Sequence, residues 1–168
     1  MASKLDKLIR PDEFYTDLLQ IDFDSFYQRG FRLIMLDVDN TLARHGSQQP
    51  DDYAHQVIAK IQAARLKCWI ISNGGERRVR KYAATLNVPG IPMAKKPSRR
   101  ALKFACQSSG VQPSQAVMIG DQLFTDIISA HRTGCWAVLV QPRFEKEGWN
   151  IKFKRLIEKL ISRRYKSY

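Results

Sequence analysis

The run Leu33-Ile34-Met35-Leu36 carries no polar side chain and ends in two aspartates one residue apart, Asp37 and Asp39, followed by Asn40 and Thr41. A short apolar run bounded by turn formers fits a strand buried on both faces, which is the pattern of a parallel sheet. Alternation along a strand would send Asp37 and Asp39 to the same side. Two carboxylates crowded at a strand's carboxyl end repel each other unless a cation offsets them. Mg²⁺, which takes a few carboxylates plus waters and phosphate oxygens, is the simplest such partner. The plainer reading is an Asp- and Asn-rich turn after a core strand.

The rest of the chain repeats the strand-then-helix pattern. Met1–Phe31 reads as a lead-in, with a short basic turn stopped by Pro11 and a helix over Asp24–Arg29 closed by Gly30. After the first strand and a polar loop, the apolar spacing predicts a helix over Tyr53–Leu66. Cys68–Ile71 is the next strand, ending in Ser72-Asn73-Gly74-Gly75, and Glu76–Leu86 the next helix. Pro89–Met93 allows a short strand at most; Lys95-Lys96-Pro97-Ser98 then leads into a helix over Arg99–Ser108 that closes near Gly110. Ala116–Ile119 is a strand ending in Gly120-Asp121, Asp126–Arg132 a helix, Trp136–Val140 a last strand, and Trp149–Arg164 a basic helix. Such alternation implies an α/β fold, a doubly wound parallel sheet with helices on both faces. Ligands of these sheets bind beyond the carboxyl ends of the strands, and the polar residues after three strands would gather there.

Length and charge narrow the class. At 168 residues the chain fits a single domain, 1–168, with residues 1–31 as lead-in and 143–168 as a basic C-terminal helix. Every apolar run is interrupted by charge before it reaches membrane-spanning length. Asp6 and Arg10 break up the apolar residues at the start, which is no secretory pattern. Cys68, Cys106 and Cys135 have neither paired number nor metal spacing, and read as reduced, buried thiols of a cytoplasmic protein. The excess of 28 Lys+Arg over 16 Asp+Glu gives a net charge of +12 and calls for an anionic partner.

Asp37-Val38-Asp39-Asn40-Thr41, Ser72-Asn73, Lys96-Pro97 and Gly120-Asp121-Gln122-Leu123-Phe124-Thr125-Asp126 stand in that order. In this the chain resembles the haloacid-dehalogenase (HAD) superfamily of phosphatases over roughly residues 31–140. The compact spacing from Ser72 to Lys96, Glu76-Arg77-Arg78-Val79 and Gly120-Asp121-Gln122 resemble the class IIIA, YqeG-like group. That group is similar to phosphatidylglycerophosphate phosphatases. The resemblance implies a Rossmannoid fold and a Mg²⁺-dependent phosphomonoesterase that forms an aspartyl-phosphate. It makes Asp37 the nucleophile. It makes Asp39 the acid for the leaving alcohol, then the base for the hydrolytic water. Lys96, beside Pro97, would be the fixed cation that lowers repulsion around the phosphoryl group. Ser72 and Asn73 would bind phosphate with it. Asp37, Asp121 and Asp39, the last through its backbone carbonyl, would hold Mg²⁺. Thr41 would fix the loop. Asp126 would order the metal's waters or Lys96 from behind, or else serve as an acid at a helix N-terminus. Lys95 and His45 read as solvated surface residues.

The stretches from Thr41 to Ser72 and from Ser72 to Lys96 leave no room for a cap domain. An open site suits a substrate large enough to cover it, and a lipid phosphate such as phosphatidylglycerophosphate leads. Nine basic residues between Arg143 and Lys166 face only Glu145, Glu147 and Glu158. That segment would either bind an anionic membrane surface peripherally or pack its apolar face on the sheet. The alternatives are a phosphatase of a soluble sugar, nucleotide or protein phosphate, and a basic binding module contacting RNA or a ribosome-associated partner. Nucleic acid is the weaker partner, because no aromatic-and-basic RNA-binding signature is present.

Overall fold

The computed structural model describes residues 4–144, with side chains from residue 7 onward. The elements run α1 (Lys4–Ile9), β1 (Glu13–Tyr15), α2 (Phe23–Gln28), β2 (Leu33–Leu36), α3 (Asp52–Ala63), β3 (Lys67–Ile71), α4 (Glu76–Thr85), β4 (Gly90–Ile91), α5 (Arg100–Ser109), β5 (Ala116–Gly120), α6 (Ile128–Thr133) and β6 (Trp136–Val140). The strands form one parallel sheet in the order β1-β6-β5-β2-β3-β4.

Period-two alternation divides the core between the sheet's two faces. Ile34 and Leu36 point to one face with Ile70, Val117 and Val138, under Phe26 of α2, Val57 and Ile61 of α3, and Val79 and Tyr82 of α4. Leu33 and Met35 point to the other with Met118 and Leu139, under Leu102 and Ala105 of α5 and Ala130 of α6. Burial on both faces explains why β2 and β5 are continuously apolar rather than alternating. The sheet is therefore doubly wound, and the described residues contain no cap: β2 is joined to β3, and β3 to β4, by one helix each.

Several boundaries differ from the sequence reading. The lead-in contributes a strand: Glu13, Phe14 and Tyr15 pair with Val138, Leu139 and Val140 at the sheet edge. Three residues are too few to carry a periodic signal, and their partner lies more than a hundred residues away. The helix expected from Asp126 is preceded by a turn of π-helix, Leu123–Ile127. Cys68, Cys106 and Cys135 are buried free thiols. Among the described residues no helix is long and apolar enough to cross a membrane. The basic helix expected over Trp149–Arg164 lies outside the described residues.

Candidate active site

The chain winds from β2 through β3 to one sheet edge, then returns to lay β5 on the other side of β2. That reversal leaves a crevice beyond the carboxyl ends of β2 and β5, the ordinary ligand position of such sheets. The Asp37 N–H continues the ladder past β2, donating to Ile119 O at 3.0 Å, and this carries the Asp37 carboxylate to the crevice floor. Asp121 comes directly after β5. Both are buried, as are Asp39, Thr41, Ser72, Lys96 and Asp126.

Lys96 is the centre of this cluster. Its Nζ donates to Asp37 Oδ1 at 2.7 Å, Asp126 Oδ1 at 2.6 Å and Ile71 O at 2.8 Å. Burial alone would lower its pKa, but the Asp126 and Asp37 carboxylates raise it, so the ammonium stays charged. Its backbone is held by Asn73, whose Oδ1 accepts from Lys96 N at 2.8 Å and whose Nδ2 donates to Lys96 O at 3.2 Å. One of the two amide hydrogens that the sequence offered to a phosphate is thus spent on holding Lys96. Ser72 lies on the crevice wall, its Oγ accepting from Gly74 N at 3.1 Å.

Asp126 reaches Lys96 because of the π-turn. The widened turn carries its carboxylate back under β5, where Oδ2 accepts from Gln122 N at 3.1 Å. Gly120 is required there, since a Cβ would collide with the Asp126 carboxylate. Both sequence readings for Asp126 are seen: its carboxylate contacts Lys96, and it stands in the first turn of the helix that begins at Leu123.

Asp37, Asp121 and Asp126 can each offer a carboxylate oxygen within 4.8 Å of the others. The Lys96 ammonium answers two of these three buried carboxylates, Asp37 and Asp126, and leaves Asp121 without a cation among the described residues. Burial, with the charges of Asp126 and Asp37 next in weight, pushes the Asp121 carboxyl up to about 8, although Thr41 Oγ1 donates to its Oδ1 at 3.1 Å. Burial also raises Asp37, against the pull of Lys96. A cluster of hard oxygen donors with uncompensated negative charge fits a divalent cation such as Mg²⁺.

The Asp39 side chain does not join this trio. The strand ends at Leu36, so its alternation no longer applies, and Asn40 turns the chain with φ 61°. The Asp39 carboxylate instead meets Arg78 in a two-pronged contact, Nη1–Oδ1 3.0 Å and Nη2–Oδ2 2.6 Å, and accepts from Gly46 N at 2.9 Å. Burial pushes this carboxyl up, but Arg78 and Gly46 outweigh it and hold it below the usual carboxylate range. His45 is exposed, with Nδ1 3.6 Å from Asp39 Oδ1. Asp37 and Asp39 therefore border one cavity of about 360 Å³ but answer to different cations.

Arg78 is the residue that sequence reasoning left without a role. A signal was present: Arg77 and Arg78 sit in the first turn of α4, where the helix dipole disfavours cations. Gly74 makes room for it, since a Cβ there would meet the guanidinium.

Comparison with known proteins gives the family and the fold. A family model described as "HAD-hyrolase-like" matches residues 93–151. The protein named "Probable phosphatase YqeG" of Bacillus subtilis is 31% identical over 157 residues, covering 94% of this chain and 91% of that one. The chain belongs to the YqeG-like HAD phosphatases. Another match is the "Phosphoglycolate phosphatase" of Chromobacterium violaceum, 29% identical over 123 residues, covering 68% of this chain and 54% of that protein. The solved deoxy-D-mannose-octulosonate 8-phosphate phosphatase of Haemophilus influenzae, in a cobalt-bound form, superposes with a TM-score of 0.53 at 14% identity, over 79% of this chain and 88% of that one. At that identity the likeness concerns the fold. The open crevice of this HAD phosphatase is bordered by Asp37, Asp39, Ser72 and Lys96.

Proposed function

We propose that this HAD phosphatase is a Mg²⁺-dependent phosphomonoesterase acting through an aspartyl-phosphate on Asp37. The observation that carries the reading is Lys96, held charged between Asp37 and Asp126 at the base of the crevice. Asp37, Asp121 and the Asp39 backbone carbonyl would hold the metal, with Asp126 behind them. When bound, Mg²⁺ supplies a positive charge that offsets the carboxylates and polarises the phosphoryl oxygens.

The chain's own residues divide the work. An Asp37 oxygen attacks phosphorus and the ester oxygen leaves, taking a proton from Asp39. Water then attacks the same phosphorus. Asp39 removes its proton, and the P–O bond to Asp37 breaks to release inorganic phosphate. Lys96 steadies the carboxylate and the developing charge beside it, and Ser72 faces the phosphoryl oxygens. The ion pair with Arg78 keeps Asp39 ionised, as the second half-reaction needs. The first half-reaction needs the same group protonated, so the Arg78 contact must loosen as substrate arrives.

The leading substrate is a lipid phosphate such as phosphatidylglycerophosphate. The open crevice, the net charge of +12 and the resemblance support it. Residues 1–168 are read as one phosphatase domain, supported by one sheet running from Glu13 to Val140. Peripheral binding to an anionic membrane through residues 143–168 belongs to the same reading. The start of that segment is tied beside the nucleophile loop: Arg143 N donates to Asn40 O at 2.7 Å and Arg143 Nη2 to Asp51 Oδ2 at 2.9 Å. A soluble phosphate ester is the second reading, favoured by the match to a phosphoglycolate phosphatase. The HAD phosphatase match leaves a pure binding module without support.

Mass spectrometry of protein quenched with a phosphomonoester and Mg²⁺ tests the mechanism. A phosphate adduct on Asp37 is expected, with no adduct and no turnover in Asp37→Asn. Turnover of Asp37→Asn at the wild-type rate would refute the nucleophile. Asp39→Asn should slow turnover by about 10²–10⁴-fold.

A further inference from the structure

Three large apolar side chains stand out into solvent among the described residues, and two of them, Met93 at 57% and Phe104 at 56% exposure, border the same groove. Trp69 and Ile91 form its floor, and the Trp69 and Phe104 rings meet edge to face at 6.1 Å. The groove is open, about 980 Å³, and runs along the β4 edge of the sheet. Met93 has φ 46°, a left-handed backbone that side-chain-bearing residues seldom adopt. Such a conformation persists where surrounding structure enforces it, and it concentrates at ligand sites. Here two main-chain bonds enforce it: Met93 N donates to Gly74 O at 2.9 Å, and Ala94 N to Ser72 O at 3.0 Å.

Those bonds also join the groove to the active site. Ser72 and Gly74 line the catalytic crevice on one side of this seam, and Met93 and Ala94 line the groove on the other. Lys95 and Arg100, exposed and without an ion pair among the described residues, edge the groove. Its remaining charges, Glu76 and Arg80, pair with each other at 3.0 Å. The groove thus has an apolar floor, a cationic edge and a shared wall with a phosphate site.

We propose that this groove is a binding site for the aliphatic chain of an amphiphilic phosphate monoester whose phosphate lies at Asp37. The chemistry of the groove selects the occupant. Lys95 adjoins Lys96, whose Nζ bonds Asp37, so the cationic edge of the groove begins one residue from the phosphate site, and a chain attached to a phosphate there would cross the seam onto Met93, Trp69 and Phe104. An unbranched thioether and two rings suit a flexible chain of variable length. The proposal rests on the phosphomonoesterase reading and adds the residues that would select for chain length.

The test uses linear alkyl phosphates of four, eight and twelve carbons, below their micelle concentrations, with the full chain and Mg²⁺. The kcat/KM should rise with chain length, by about fourfold for each methylene fully covered by the groove. Met93→Gln with Phe104→Gln should flatten that rise and leave the four-carbon ester unchanged. Both side chains are more than half exposed, so the substitutions cost little stability. Calorimetric titration of Asp37→Asn with octyl phosphate and with inorganic phosphate separates this proposal from the one beneath it. Tighter binding of octyl phosphate, abolished by the two groove substitutions, supports the groove even if no ester is hydrolysed and the phosphatase mechanism fails. Equal binding of the two ligands, a flat chain-length series, or a rise that survives the substitutions overturns it. An oligomer that dissociates on Met93→Gln and Phe104→Gln while the series stays flat would assign the groove to a second copy of the chain, and overturns it too.

Discussion

Lys96→Met is the most discriminating perturbation of the site. The side chain keeps its length and loses its charge, while the ammonium it replaces has three acceptors at 2.6–2.8 Å and is 2% exposed. Breaking a buried pair by removing one partner costs about 3–5 kcal/mol, because the other charge stays buried without compensation. Here two carboxylates are left so, Asp37 and Asp126. Against a total stability of about 5–15 kcal/mol this is a large fraction, on the order of 6–20 °C in Tm for a chain of this size. The loss should depend on pH. Burial already raises the Asp37 carboxyl, and without Lys96 the opposing pull is gone. The native variant then binds more protons than its unfolded chain, so its deficit narrows as the pH falls. Urea denaturation monitored by circular dichroism at pH 7 and pH 5, with chelator present throughout, measures both effects. A variant within about 1 kcal/mol of wild type at pH 7, or a deficit that does not narrow at pH 5, would refute the view of Lys96 as the cation holding these carboxylates together.

Other contacts carry outcomes of their own. Mg²⁺ at a hundred times its Kd should stabilise the protein by about 2.7 kcal/mol in thermal denaturation, and excess EDTA should remove both this gain and turnover; unchanged activity in EDTA would end the metal assignment. Ca²⁺ should inhibit, because it takes more oxygens at longer distances and can occupy both oxygens of Asp37. Gly120→Ala drives a Cβ into the Asp126 carboxylate; about 1–3 kcal/mol of destabilisation and a fall in turnover are expected, and a variant as stable and active as wild type would count against the close approach. His131 bonds Asp12 Oδ2 at 3.2 Å and Leu8 O at 2.9 Å, and the Asp12 carboxylate raises its pKa above 6.5. A raised folded pKa stabilises fully below the unfolded value and progressively less as pH rises through the folded one. The Tm gap between wild type and His131→Gln should therefore be widest near pH 5.5 and shrink by pH 8.5; a gap that grows with pH would reverse the assignment.

The strands read most clearly from sequence were those whose signal is local. Leu33–Leu36, Cys68–Ile71, Ala116–Ile119 and Trp136–Val140 are apolar runs between turn formers, and each appears within a residue of its expected bounds. Asp37, Ser72 and Asp121 could be placed together because every strand of a parallel sheet delivers its next residues to the same end of that sheet. Glu13–Tyr15 could not be read, since three half-buried residues become a strand only against β6.

Sequence alone determined the architecture and the chemical inventory of the crevice: two carboxylates after β2, a hydroxyl and an amide after β3, a lysine before Pro97 and carboxylates after β5. Tertiary structure decided who answers to whom. Asp39 turned from the acidic trio to Arg78, Asn73 closed on the Lys96 backbone, and Asp126 swung on a π-turn to the far side of Lys96. These partners lie 39, 23 and 30 residues apart. Local propensity acts over a few residues. Which buried charge finds which counter-charge depends on strand register and helix placement, and those exist only once the sheet has formed.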